Sequence, residues 1–210
     1  MSGLILNEGV ESYMNDLLPK RDAVLSEMEK LAKRRDIPII GPACARVLYL
    51  MAKLTKARRV FEMGSAIGYS TIWLARAVGS QGRVYYTDGD ASNARTAREF
   101  LKRAGVERRV DVLVGDALKL LKQTPGKFDI IFIDVDKHQY PESLRRALSR
   151  LRSGGLIITD NVLWSGKVTR RAQDENTRGI QEFNRAIYAS HKLFPIIVPL
   201  RDGVAICQKL

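Results

Sequence analysis

The chain has 210 residues, 45% hydrophobic and 28% charged, with a formal net charge of +12. That length suits one domain with a sizeable core, and the composition excludes a disordered or collagen-like chain. No apolar run approaches the roughly 20 residues of a membrane helix, and the positive charge favours anionic partners such as nucleic acid, a phosphate-bearing substrate or an acidic surface.

The basic residues fall in short clusters at 33–35, 58–59, 108–109, 145–146 and 170–171 rather than in one tail. A solvated basic surface is therefore an equal reading of the charge. The opening MSGLILNEGVESY has no basic segment before its apolar patch and no long apolar stretch, so no secretory signal is expected. Cys44 and Cys207 form neither a CxxC pair nor a metal-ligand spacing, which suits two reduced thiols in a cytoplasmic protein.

Between 9 and 35, Leu17, Leu18, Val24, Leu25, Met28 and Leu31 recur at three- and four-residue spacings. They predict helix, with Pro19 opening or kinking a second segment. IPIIGP (37–42) reads as a loop, with a helix near 43–55 behind it. From residue 58 short apolar runs alternate with helical patterns. Strands are expected at 58–63, 82–88, 109–116, 128–134 and 155–160, with helices at 69–78, 91–105 and 140–154 and a short one after 116. Continuous apolar strands of this kind suit a parallel sheet covered on both faces. After a helix at 175–190, KLFPIIVPL and GVAICQKL are separated only by the turn-like RDG of 201–203, so they must run antiparallel. The expected fold is α/β: a doubly wound, Rossmann-like sheet of seven strands, mostly parallel with a C-terminal antiparallel hairpin. Residues 1–55 add N-terminal helices to a core spanning 56–210, all within one domain.

In such a sheet ligands bind at the carboxyl ends of the strands. Those ends carry Glu62 to Gly68, Asp88 to Asp90, Gly115 to Ala117, Asp134 to Lys137, and Asp160 with Asn161. EMGSAIGYS has Gly64 and Gly68 but no G-x-G-x-x-G, and the chain has no P-loop, which disfavours a dinucleotide and a nucleoside triphosphate. Asp88, 24 residues past Gly64, suits a ribose diol, because a carboxylate accepts hydroxyl protons. Asp134, Asp136, Asp160 and Asn161 are oxygen donors at two strand ends that should be neighbours. Converging carboxylates repel unless a cation sits among them. Hard oxygen donors with an amide suit Mg²⁺, Mn²⁺ or Ca²⁺; the bland alternative is that Lys137 neutralises Asp134 or Asp136 and Asp160 caps a turn.

FEMGSAIGYSTIWLA, VYYTDGD, VGDAL, FDIIFIDVDKHQY, GGLIITDNVLWSGKV and LRDGVAI occur in this order. Together they resemble the cation-dependent, class I S-adenosylmethionine O-methyltransferases, the family of the caffeoyl-CoA and catechol enzymes and their small bacterial relatives. The resemblance covers about residues 37 to 210. It implies that Asp134, Asp160 and Asn161 bind a divalent cation, Mg²⁺ before Mn²⁺ or Ca²⁺. It places Glu62, Gly64, Ser65, Ser70, Asp88, Asp134 and Asp136 in the S-adenosylmethionine pocket, with Gly115, Asp116 and Ala117 along the adenine. Lys137 aligns with the family's proton-accepting lysine, with Asp134 beside it in the catalytic pair. Ser165 stands where the plant enzymes have an asparagine near substrate, and Trp164 and loop 165–171 are expected to border the pocket, with packing at least an equal reading for Trp164. His138 has no part in the motif.

The implied reaction is methylation of a hydroxyl on a small, catechol-like aromatic by a homodimer. A second implied substrate is a hydroxylated uridine in tRNA, which the net charge favours and which would make binding fall steeply with salt. A nucleic-acid-binding protein without catalysis and an NAD-dependent oxidoreductase are the readings from other classes. The intact Asp134, Lys137, Asp160 and Asn161 set opposes the first. The missing third glycine and the terminal hairpin oppose the second.

Overall fold

The computed structural model describes residues 8–210, so residues 1–7 of the expected N-terminal helical region, and with them half of the stretch read for a leader, lie outside the described residues. Seven strands build one sheet: β1 (Arg59–Met63), β2 (Arg83–Asp88), β3 (Val110–Val114), β4 (Phe128–Ile133), β5 (Leu151–Thr159), β6 (Leu193–Val198) and β7 (Val204–Lys209). Their order is β3-β2-β1-β4-β5-β7-β6. The first five pair in parallel, and β7 lies antiparallel between β5 and β6. The order reverses between β1 and β4, the kind of switch point where an open α/β sheet leaves a crevice.

Helices α1 (Glu8–Asp16), α2 (Ala23–Arg35) and α3 (Gly41–Leu54) precede the sheet. Pro19 falls in the break between α1 and α2, and α2 opens at Asp22, whose Oδ1 accepts from the Val24 and Leu25 N–H groups at 3.0 Å each. Helices α4 (Tyr69–Val78), α5 (Ala91–Arg103), α6 (Ala117–Gln123), α7 (Tyr140–Arg150) and α8 (Glu175–Ala189) are the crossovers. Among the described residues no helix is long and apolar enough to cross a membrane.

The central strands are apolar on both sides because each feeds two cores. Val60, Ile130, Phe132 and Ile158 pack under α3 and α4, while Phe61, Ile131, Ile133 and Ile157 pack with α7 and α8. Full burial of each such side chain contributes roughly 1.5–3 kcal/mol, which outweighs any local preference in these short runs.

One boundary differs from expectation. Helix α7 stops at Arg150 and β5 starts at Leu151, four residues before the expected strand. Leu151 is fully buried and pairs with Phe128, yet Leu156 pairs with Ile130, so β5 bulges through Gly154 and Gly155. Gly154 has φ +72°, and a Cβ on Gly155 would lie 2.8 Å from the Asp129 carbonyl. Gly154 is therefore strand rather than helix end, and Gly155 is strand as expected.

Candidate active site

Strand register assembles the site. Met63 pairs with both Thr87 and Ile133, and Ile133 pairs with Thr159. One residue further along, Gly64, Asp88, Asp134 and Asp160 therefore stand in a row at the carboxyl ends. Asp88 pairs with Val114, which brings Gly115 to the end of that row. A cavity of about 590 Å³ opens above it, within the roughly 300–1,000 Å³ of small-molecule sites.

Gly64, Ser65, Ser70, Asp88, Gly115, Asp116, Ala117, Asp134, Asp136, Lys137, Asp160 and Asn161 all line this cavity. Of the residues expected to hold the cofactor or the cation, Glu62 is the one that stands behind the wall. It is fully buried, and its Oε2 accepts from the Thr71 hydroxyl at 2.5 Å while Oε1 has no partner. Burial pushes its carboxyl up to about 7, with the Ser70, Thr71 and Ser65 hydroxyls holding it down. Asp88 already serves the protein: Oδ2 accepts from Ala66 N–H at 2.9 Å, and Oδ1 from Asp90 N–H at 2.8 Å and Asn93 Nδ2 at 3.2 Å. A carboxylate has about four lone-pair sites, so Asp88 keeps room for a further donor, and Asn93 makes the longest of its three contacts. Asp116 is exposed and caps α6, its Oδ1 accepting from Lys119 N–H at 2.8 Å.

At the other end, Lys137 Nζ donates to Asp134 Oδ1 at 2.9 Å and to the Val135 carbonyl at 3.3 Å, and lies 5.2 Å from the Tyr140 ring centre. The pair is with Asp134; Asp136 is exposed. Asp160 is 3% exposed, and its Oδ1 has no hydrogen-bond partner. Its pKa is raised by burial and by the charge of Asp134, against the pull of Arg201 and Lys137. Asn161 follows in a left-handed conformation, φ +57°. Among the described residues no group of three or more His, Cys, Asp or Glu side chains is placed to hold a metal. The expected cation set is instead two carboxylates and an amide. An orphaned buried oxygen on Asp160 and mutual repulsion with Asp134 make that set chemically suited to a hard cation.

Several contributors were not anticipated, Tyr69 and Thr87 among them. The loop at Ile37, Pro38, Ile39 and Ile40 forms an apolar wall, Arg201 enters from the β6–β7 turn, and Gln139 and Asn93 join the lining. Tyr140, which opens α7 as expected, is fully buried and its hydroxyl donates to the Asp160 carbonyl at 2.8 Å. The exposed His138 enters only through its backbone N–H, bound to Asn176 Oδ1 at 3.0 Å. Trp164 and loop 165–171 do not line the cavity. Trp164 (φ +49°) and Ser165 (φ +50°) turn the chain aside, and Trp164 packs on the α7–α8 core with Lys167 5.3 Å above its ring.

A sequence model described as O-methyltransferase matches residues 19–210. The catechol O-methyltransferase of Niastella koreensis is 37% identical over 215 residues, covering 95% of this chain and 96% of that protein. The catechol O-methyltransferase of Mycobacterium tuberculosis is 36% identical over 168 residues, covering 79% and 76%. Among solved structures, an O-methyltransferase from Bacillus cereus in complex with SAH superposes with a TM-score of 0.88 at 32% identity, covering 96% of this chain and 97% of that one.

Proposed function

The chain belongs to the O-methyltransferase family, and on that premise we propose that it uses S-adenosylmethionine and a divalent cation, Mg²⁺ foremost, to methylate a hydroxyl of a catechol-like small aromatic. The observation that supports this most is the strand register. It sets Asp134 and Asp160 side by side, next to a glycine-lined cavity and with Lys137 bonded to one of them.

When bound, S-adenosylmethionine supplies the methyl group and the cation supplies Lewis acidity that lowers the pKa of a hydroxyl. Asp134, Asp160 and Asn161 would hold the cation. Gly64, Ser65, Ser70 and Asp88 would hold the cofactor, with Gly115, Asp116 and Ala117 along its adenine and Glu62 behind them. Asp134, between the two sets, orients the Lys137 side chain through the 2.9 Å contact, and Lys137 Nζ, in its neutral amine form, would take the hydroxyl proton and become the ammonium ion paired with Asp134. The wall from Ile37 to Ile40 excludes water from the acceptor side and holds an aromatic ring in place for in-line transfer.

Labelled methyl transfer to a panel of catechols, with and without excess chelator, tests the reading. Transfer that survives chelation removes the cation, and failure to bind S-adenosylmethionine in calorimetry sinks the whole. The +12 charge favours one second reading, a hydroxyuridine in tRNA. Binding of hypomodified tRNA that falls steeply with salt would support it. The expected homodimer draws support from apolar side chains left exposed on α1 and α3, among them Tyr13, Leu50 and Leu54; light scattering tests it.

A further inference from the structure

We infer that Arg201 selects acceptors bearing an anionic group, a carboxylated catechol being the simplest; this rests on the catechol-type reading above. Arg201 sits in the turn between β6 and β7 with φ +50°, a conformation unfavourable for a residue with a long side chain. The turn is fixed from both sides. Gly203 N–H donates to the Leu200 carbonyl at 2.9 Å, and the Val162 and Leu163 N–H groups donate to the Gly203 and Asp202 carbonyls at 3.0 and 2.9 Å. The strained backbone is thus held where it delivers the guanidinium into the cavity.

There the group is only partly engaged. Nη1 donates to the Ile40 carbonyl and, at 3.5 Å, to the Ile39 carbonyl. Asp160 Oδ2 stands 3.8 Å from Nη1, a Coulombic contact that offsets charge without spending an N–H. Neither Nε nor Nη2 is hydrogen-bonded to a carbonyl or carboxylate among the described residues, the Cys44 thiol being the other group beside the guanidinium, and the side chain is 34% exposed. Of the two cationic residues lining the cavity, Lys137 is hydrogen-bonded to Asp134, whereas Arg201 is hydrogen-bonded to no carboxylate. A planar fork of unspent donors beside an apolar wall matches a flat acid: the ring lies against Ile37 to Ile40 and the carboxylate meets the guanidinium.

A purely structural role for Arg201, tethering the Ile39–Ile40 loop, would affect every acceptor alike. The test therefore reads a ratio, kcat/KM for 3,4-dihydroxybenzoate over that for 4-methylcatechol, in the wild type, Arg201→Gln and Arg201→Lys. Charge-assisted hydrogen bonds contribute enough that the ratio should fall roughly tenfold or more in Arg201→Gln, mainly through KM, and recover in part in Arg201→Lys. Calorimetric binding of 3,4-dihydroxybenzoate to the protein loaded with S-adenosylhomocysteine and Mg²⁺ should weaken in parallel. An unchanged ratio with unchanged binding overturns the inference and leaves the catechol-type reading standing. No transfer to either acceptor by wild type that binds S-adenosylmethionine overturns both.

Discussion

A Cβ on Gly179 would stand 2.4 Å from the carbonyl oxygen of Lys137. Helix α8 thus crosses the turn carrying the proposed base at a distance that only glycine permits, and Asn176 of the same helix holds the next N–H. Gly179→Ala should push this turn outward and misplace Lys137 Nζ. A displacement of about 1 Å can cost as much as 100-fold in rate, so kcat should fall at least tenfold. Stability should drop by about 1–3 kcal/mol, as for other overpacked sites. The affinity for S-adenosylmethionine should hardly change. Steady-state kinetics beside calorimetric titration checks the split.

Glu62 is set to make stability depend on pH. Its folded pKa, about 7, lies above the ordinary 4.5. Between those values the folded chain keeps a proton that the unfolded chain has released. The contribution is thus fully present below about pH 4.5 and is lost as pH rises through 7. Its size is on the order of 3 kcal/mol. Glu62→Gln has no proton to lose, so its stability relative to wild type should be higher at pH 8 than at pH 4.5. Urea unfolding across this range measures it. The same variant should bind S-adenosylmethionine more weakly.

Asp160 opposes function to stability. Its carboxylate is buried, carries an oxygen without a partner and is repelled by Asp134, while its closest cation, Arg201, remains 3.8 Å away. Replacing a poorly compensated buried charge with a neutral isostere commonly stabilises. Asp160→Asn should therefore melt at or above the wild-type temperature in chelator at pH 8, yet bind Mg²⁺ poorly and lose methyl transfer. A clear fall in melting temperature would mean that the Arg201 contact outweighs the desolvation.

The strands and their acidic ends were legible because runs such as Ile130 to Ile133 are apolar without alternation and stop abruptly at Asp134. Two such ends on adjacent strands necessarily meet. What stayed hidden depends on contacts between distant segments. Nothing local to Gly179 announces the Lys137 carbonyl, and Arg201 in RDG reads as an ordinary turn residue until the loop at Ile40 closes on it. Gly154 reads as a helix end, because the bulge it shares with Gly155 exists only against Asp129 of β4. Trp164 reads equally as pocket border or packing residue, because the left-handed backbone that turns it into the core leaves no mark on composition.

Gly64 shows how a residue expected to make room for a ligand first makes room for the fold. A Cβ there would lie 2.2 Å from the Asp134 carbonyl oxygen and 2.8 Å from its carbon, and φ is +82°. Relief is blocked, since Asp134 N–H is bound to the Met63 carbonyl at 2.8 Å, directly before Gly64. Gly68 shares the left-handed backbone, φ +85°, but its Cβ would be crowded only by the Ala97 methyl, at 3.2 Å, with Ala97 Cα and Thr71 Oγ1 at ordinary contact distances of 3.7 and 3.8 Å. Gly64→Ala should therefore cost about 3 kcal/mol or more, conformational strain and overpacking together, and Gly68→Ala about 1–2 kcal/mol. Urea denaturation of the two variants decides the order. Equal stabilities, with cofactor binding lost only in Gly64→Ala, would instead assign Gly64 to ligand approach alone.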